Sequence, residues 1–200
     1  QEWARLYEID HNYVEGNENF LSTITAYGNF KTKCPEVEVG IEIFRSYCFL
    51  DEQMHDMLGQ TIFSLEFDIL KIKDEYIREM YFARLLLLQI VNKVSKNRKE
   101  EAREICEKML SNVEDENYRA WACLHYGNSY ILESYDMANM YFNKGMNLVN
   151  DHRTLVKENI ERSMNFLDNY WNKKPRHLKP FSKHPSDMHE VAFYYKKNDQ

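Results

Sequence analysis

The sequence has 200 residues and a mass of 24.2 kDa, the size of one ordinary domain or one repeat array. Hydrophobic residues at 44% and aromatics at 14% can bury a sizeable core, which excludes an intrinsically disordered chain, and six Gly with four Pro are too few for a turn-rich all-β fold. The net charge of −6, from 26 basic and 32 acidic residues, argues against a nucleic-acid binder as the chain stands.

Apolar residues recur at spacings of three and four, the signature of amphipathic helices. In chain order the pattern predicts helices at roughly 2–15, 17–31, 36–50, 52–69, 74–95, 98–111, 116–132, 135–149 and 154–172. Gly16-Asn17 separates the first two, and Cys34-Pro35 breaks the chain before the third, because Pro lacks the amide a helix interior needs. Ser134-Tyr135-Asp136 reads as a short turn and Asn150-Asp151 as a stop. From Lys173 to Pro185 the composition changes: three of the four prolines, five Lys/Arg and no acid mark a basic, Pro-rich connector at 173–186. A last helix is expected from about Asp187 to Lys197, within a truncated C-terminal segment 187–200. The expected fold is all-α, with about nine or ten helices and a helical-repeat domain at 1–172. The chain opens on Gln1-Glu2-Trp3, without Met and already helical, as expected for a fragment of something longer. Charge is uneven, since residues 1–70 hold four basic and thirteen acidic groups, net −9, leaving 71–200 at +3.

Short turns between paired helices call for an internal period, and one is present. Ala102, Cys106 and Met109 are spaced by four and then three; Ala138, Phe142 and Gly145 repeat that spacing 36 residues later, and Leu58, Ile62 and Leu65 repeat it upstream at a looser interval. The stripe resembles the second helix of a tetratricopeptide repeat, whose small residues let helices approach closely. Gly127 supplies the small residue expected on the leading helix, eleven positions before Ala138. The fold is therefore read as a tetratricopeptide-like helical-hairpin solenoid, against an irregular bundle in which each spacing only reports a buried stripe.

In such an array the leading helices line a concave face. Shifts of 36 and 37 residues place Asn92, Asn128 and Asn165 in one repeat register, with Gln89, His125 and Arg162 three residues earlier in each case. A carboxamide offers a donor and an acceptor, so such a ladder suits the backbone of an extended peptide, and a nearby Arg suits its terminal carboxylate. Three Asn in register also arise by chance, or cap and bridge helices. Trp121 lies two turns before Asn128 and is a candidate groove wall; the remaining aromatics read as packing between repeats.

Other chemistry is not indicated. Seven His include no H-E-x-x-H and no i, i+4 pair, and no phosphate-cradling or nucleophile-elbow motif is present, so no cofactor or metal is expected. Cys34, Cys48, Cys106 and Cys123 form no C-x-x-C pair and fit reduced thiols in a cytosolic protein, with Cys106 and Cys123 as buried, inert members of apolar stripes. The acidic groups Glu100-Glu101 and Glu114-Asp115-Glu116 sit at helix starts, where they complement the dipole. No secretory signal is read, and apolar runs such as Leu85 to Leu88 are far too short to cross a bilayer.

The segment Tyr126-Gly127-Asn128-Ser129-Tyr130-Ile131-Leu132, followed by Tyr135-Asp136 and Tyr141-Phe142-Asn143-Lys144-Gly145, resembles the arbitrium peptide receptors (AimR-type) of temperate Bacillus phages. So does Phe166-Leu167-Asp168-Asn169-Tyr170-Trp171-Asn172-Lys173; the family carries G-[TN]-S-Y-L and F-L-N-N-F-W-N-K-like segments in this order. Arg84, Glu100-Glu101 and Arg103 keep the family register. The resemblance implies a cytosolic transcription regulator with an N-terminal helix-turn-helix and a tetratricopeptide-like regulatory region. That region binds a short secreted phage peptide that has re-entered the host; the peptide changes oligomeric or conformational state, DNA is released, and the phage moves from lysis toward lysogeny. By position, Asn128 falls in the family's peptide-contacting leading helix, and Asn92 and Arg119 lie within a residue or two of contact positions.

The 200 residues are not expected to include the family's helix-turn-helix or its last helices, so the expectation is either a piece of a receptor or a short relative without DNA binding. The implied partners are a short signal peptide, a second copy in a full-length homodimer, and DNA only through the helix-turn-helix, with no membrane and a bacterial cytoplasmic location. The rival is a stand-alone helical-repeat scaffold for a protein partner, for example a phage-encoded inhibitor of a host regulator. An enzyme would need clustered titratable groups, which nothing in the sequence places together.

Overall fold

The computed structural model describes residues 1–149 and 155–173. Among them every regular element is helical: α1 (Glu2–Val14), α2 (Phe20–Gly28), α3 (Pro35–Asp51), α4 (His55–Asp68), a single 3-10 turn (Ile69–Lys71), α5 (Glu75–Ser95), α6 (Lys99–Asn112), α7 (Glu116–Tyr130), α8 (Tyr135–Leu148) and α9 (Leu155–Lys173). The expected connector, beyond Lys173, and the expected last helix lie outside the described residues.

Local chemistry explains where the starts differ from the pattern. The α2 helix begins at Phe20, not 17, because the Asn19 side chain caps it by accepting from Ser22 N at 3.0 Å. Pro35 does more than interrupt: it is the first residue of α3, where a missing N–H costs nothing. The α4 helix starts at His55, since Gln53 takes a left-handed backbone (φ 58°) that closes α3, as Asn97 (φ 57°) does between α5 and α6. The turn expected at 134–136 lies at 131–133 instead; Ser134 is the N-cap of α8, its hydroxyl accepting from Met137 N. Asp115 caps α7 through Asn117 N at 2.8 Å and Tyr118 N at 3.2 Å.

The chain divides into two compact units, Gln1–Asn92 and from Lys93 onward, with the boundary inside α5. In the first unit Ile43, Leu58, Leu65, Ile72, Tyr81 and Leu88 form one core, and Leu6, Tyr27, Val37 and Phe44 another beneath α1 and α2. In the second, Ala120, Leu124, Ala138, Phe142, Ile160 and Leu167 join α7, α8 and α9. All three repeat stripes (Leu58/Ile62/Leu65, Ala102/Cys106/Met109 and Ala138/Phe142/Gly145) are buried. The small-residue argument has a direct counterpart, because a Cβ on Gly127 would stand 2.6 Å from Phe142 Cδ1 and one on Gly145 would stand 3.0 Å from Cys123 Cβ. Glycine at these two points lets α7 and α8 close on each other. At the far end of α7, Trp171 Nε1 donates to Ile131 O at 2.8 Å, tying α9 to the same hairpin.

Candidate functional site

The helix α7 packs against α6, α8 and α9, and nearly all of it from Ala120 to Ser129 is buried. Spacings of four and three put Trp121, His125 and Asn128 along one side of it. The Trp121 and His125 rings stack with centroids 6.1 Å apart and planes at 26°. Asn128 is half-buried, with its Oδ1 shielded from solvent. This row is neutral at physiological pH, because burial pulls the His125 imidazole down to about 4.

That shift has a measurable consequence. Between pH 6.5 and about 4 the unfolded chain protonates this histidine while the folded chain does not, so stability is full above 6.5 and falls as pH drops through that window. The expected loss is at most about 3 kcal/mol. Urea unfolding at pH 7 and pH 4.5 should show a smaller pH-dependent loss for His125→Gln than for the unmodified chain; an equal loss would refute a buried neutral imidazole.

The other expected site residues occupy different settings. Arg119 stands two residues from Trp121, which sends it to the opposite side of α7, towards Cys123. Burial lifts the Cys123 thiol to about 11, with Lys144 and Arg119 pulling the other way, and burial raises Cys106 as well, so both thiols are unreactive. On α9, Arg162 and Asn165 are exposed, and Arg162 makes only a loose ion pair with Glu158 at 3.9 Å. In the first unit Asn92 is buried on α5, and Gln89 Nε2 donates to Glu66 Oε1 at 2.6 Å. The structure thus brings Trp121, His125 and Asn128 into one row, whereas Arg119 faces away from it.

The second unit also holds a polar network that spacing arguments missed. Arg103 is buried, yet its guanidinium donates to Ser129 Oγ at 3.0 Å, Ser129 O at 2.8 Å, Glu100 Oε1 at 2.6 Å and Glu133 Oε2 at 2.5 Å. Its Cζ also stands 3.7 Å from the Tyr130 ring centroid. Lys99 Nζ adds a 3.0 Å bond to Glu133, while Tyr126 donates to Glu107 and stacks on Tyr141 at 4.0 Å. The network pins α6 to the C-terminal end of α7, and with it the setting of the Trp121–His125–Asn128 row. Burial pushes the Glu133 carboxyl up, but the bonds from Arg103 and Lys99 outweigh it and hold it below the usual range; Lys93 likewise lowers Glu101. The sequence signal was the family register of Arg103 and Glu100 and the quoted segment that holds Ser129 and Tyr130, which named these residues and not their pairing. Among the described residues no group of His, Cys, Asp and Glu is arranged to hold a metal, and no helix is long and apolar enough to cross a membrane.

Comparison with known proteins closes the question of family. The family described as AimR transcriptional regulator-like matches residues 1–200. The chain is 26% identical over 196 residues to the AimR transcriptional regulator of Bacillus phage phi3T, covering 98% of this chain and 50% of that protein. It is 24% identical over 195 residues to the AimR transcriptional regulator of Bacillus phage SPbeta, covering 96% and 49%. A solved structure described as phAimR-Ligand superposes with a TM-score of 0.75 at 24% identity, over 98% of this chain and 57% of that one, which shows a shared helical-solenoid fold. The chain spans about half the length of the curated relatives it matches. A family match along its whole length, on the fold just described, makes this chain a member of the AimR transcriptional regulator-like family.

Proposed function

We propose that this chain is the sensing region of a phage regulator and that its second unit binds a short signal peptide along the Trp121–His125–Asn128 row. The match of all 200 residues to a family of transcription regulators carries the reading, and the row supplies a chemistry for it. A carboxamide shielded from bulk water pairs well with a peptide group, since it donates and accepts at once. The stacked Trp121–His125 pair gives a flat, uncharged wall for an apolar side chain. On α9, Asn165 extends the set of carboxamides, and Arg162, exposed and loosely paired, can turn to the peptide carboxylate.

Peptide bound there acts by preferring one of two conformational or oligomeric states, and it shifts their balance only by its difference in affinity. In the complete regulator that shift is read out in the host cytoplasm by a homodimer whose helix-turn-helix releases DNA, favouring lysogeny over lysis.

Calorimetry with short synthetic peptides, each with a free and an amidated C-terminus, tests the reading. The expected results are binding by the unmodified chain, a loss of about 1–3 kcal/mol for Asn128→Ala, and weaker binding of the amidated form. Undiminished affinity in Asn128→Ala would remove that residue from the site, and no binding across the panel would remove the function.

A further inference from the structure

The helix α4 carries two apolar sides, and only one of them is used by the fold. Leu58, Ile62 and Leu65 enter the first core. On another side Phe63 and Phe67 are 64% and 56% exposed, their rings paired edge to face at 5.3 Å, and Leu70 in the following 3-10 turn is 74% exposed. Spacings of four and three place the three in one stripe about two turns long. A scattered exposed apolar side chain needs no explanation; three large ones in register, two of them already in ring contact, make a prepared surface.

Charge says what fits it. The helix holds Asp56, Glu66 and Asp68 and no Lys or Arg. The first unit as a whole has eight basic and sixteen acidic side chains, net −8. Of the two exposed lysines that follow the stripe, Lys71 and Lys73, the nearer one is held by Asp68 at 2.6 Å. An apolar stripe with spacings of four and three and acidic flanks is complementary to one face of a cationic amphipathic helix. The same acids repel an anionic bilayer or a nucleic-acid backbone, and a second copy docked symmetrically would set carboxylate against carboxylate.

We propose that the Phe63–Phe67–Leu70 stripe docks a cationic amphipathic helix of a partner protein. The surface belongs to the first unit and does not depend on peptide sensing by the second.

The probe is a fluorescent Leu/Lys helical peptide, with a Leu/Glu twin that keeps every apolar position, read by fluorescence anisotropy against the chain and its Phe63→Ser/Phe67→Ser variant. Circular dichroism checks that the variant is folded, and Leu70→Ser serves as an independent second substitution. The expected result is binding of the Lys peptide, a loss of about tenfold or more in each variant, and no binding of the Glu twin. Equal binding by the variants would mean unspecific charge attraction and would overturn the proposal, as would binding of the Glu twin. Self-association that the double variant abolishes would assign the stripe to a second copy, and capture by phosphatidylglycerol vesicles would assign it to a membrane; either overturns it.

Discussion

Gly127→Ala is expected to destabilise the protein by about 2 kcal/mol. The direction is opposite to the ordinary rule, since alanine in a helix interior gains about 1 kcal/mol over glycine. Here the added methyl would lie 2.6 Å from Phe142 Cδ1 and closer still to Phe142 Cε1, well inside van der Waals contact. Phe142 is completely buried, so its ring cannot retreat into solvent. Overpacking of this kind costs about 1–3 kcal/mol, the distances place it at the upper end, and the propensity gain of about 1 kcal/mol leaves a net loss of about 2 kcal/mol. Gly28 is the control: it is helical, and a methyl added there would meet nothing within 4 Å, so Gly28→Ala should leave stability unchanged or raise it. Urea unfolding decides, and Phe142→Leu in the Gly127→Ala background should recover part of the loss. A Gly127→Ala protein as stable as the original would mean that α7 and α8 are not in close contact.

The largest effect is expected from Arg103→Met, at about 3–5 kcal/mol. Methionine keeps much of the length and loses the charge, so the Ser129 carbonyl loses its guanidinium donor and the partly buried Glu133 keeps only Lys99. Removing one partner of a shielded ion pair is costly because the other charge is left short of partners, whereas removing both is tolerated. Arg103→Met/Glu133→Gln should therefore be more stable than Arg103→Met alone, and a double-mutant cycle measures the difference. The pH dependence has a defined sign. The folded Glu133 carboxyl titrates below its usual value, so its contribution is full above about pH 4.5 and is lost as pH falls through the lower folded value. Arg103→Met should flatten that acid limb. Additive single and double effects, with the limb unchanged, would show that the network holds nothing together.

Repeat register located the candidate residues along their helices and left their depth open. Asn92, Asn128 and Asn165 share a repeat position, yet the first is buried, the second half-buried and the third exposed. Register fixes how far along a helix and on which side a residue sits; depth depends on what the rest of the fold packs over it. Arg119 illustrates the angular part, because its two-residue offset from Trp121 already sends it to the other side of α7. The bonding of the Arg103 network was not legible: it reaches 26 and 30 residues along the chain to Ser129 and Glu133, across a helix-to-helix turn.

The pattern of apolar residues alone determined that this protein is helical, roughly where each helix runs, and that Ala102/Cys106/Met109 and Ala138/Phe142/Gly145 are inner stripes. Helix period, capping and proline geometry are local properties, written within a few residues of where they act. Only the tertiary structure decided that Phe142 fills a notch over Gly127 while Phe63 faces water, that Arg103 is a buried clamp, and that His125 stays neutral. Those outcomes follow from burial against groups remote in the chain, and the same side chain takes opposite roles according to which surface arrives to cover it.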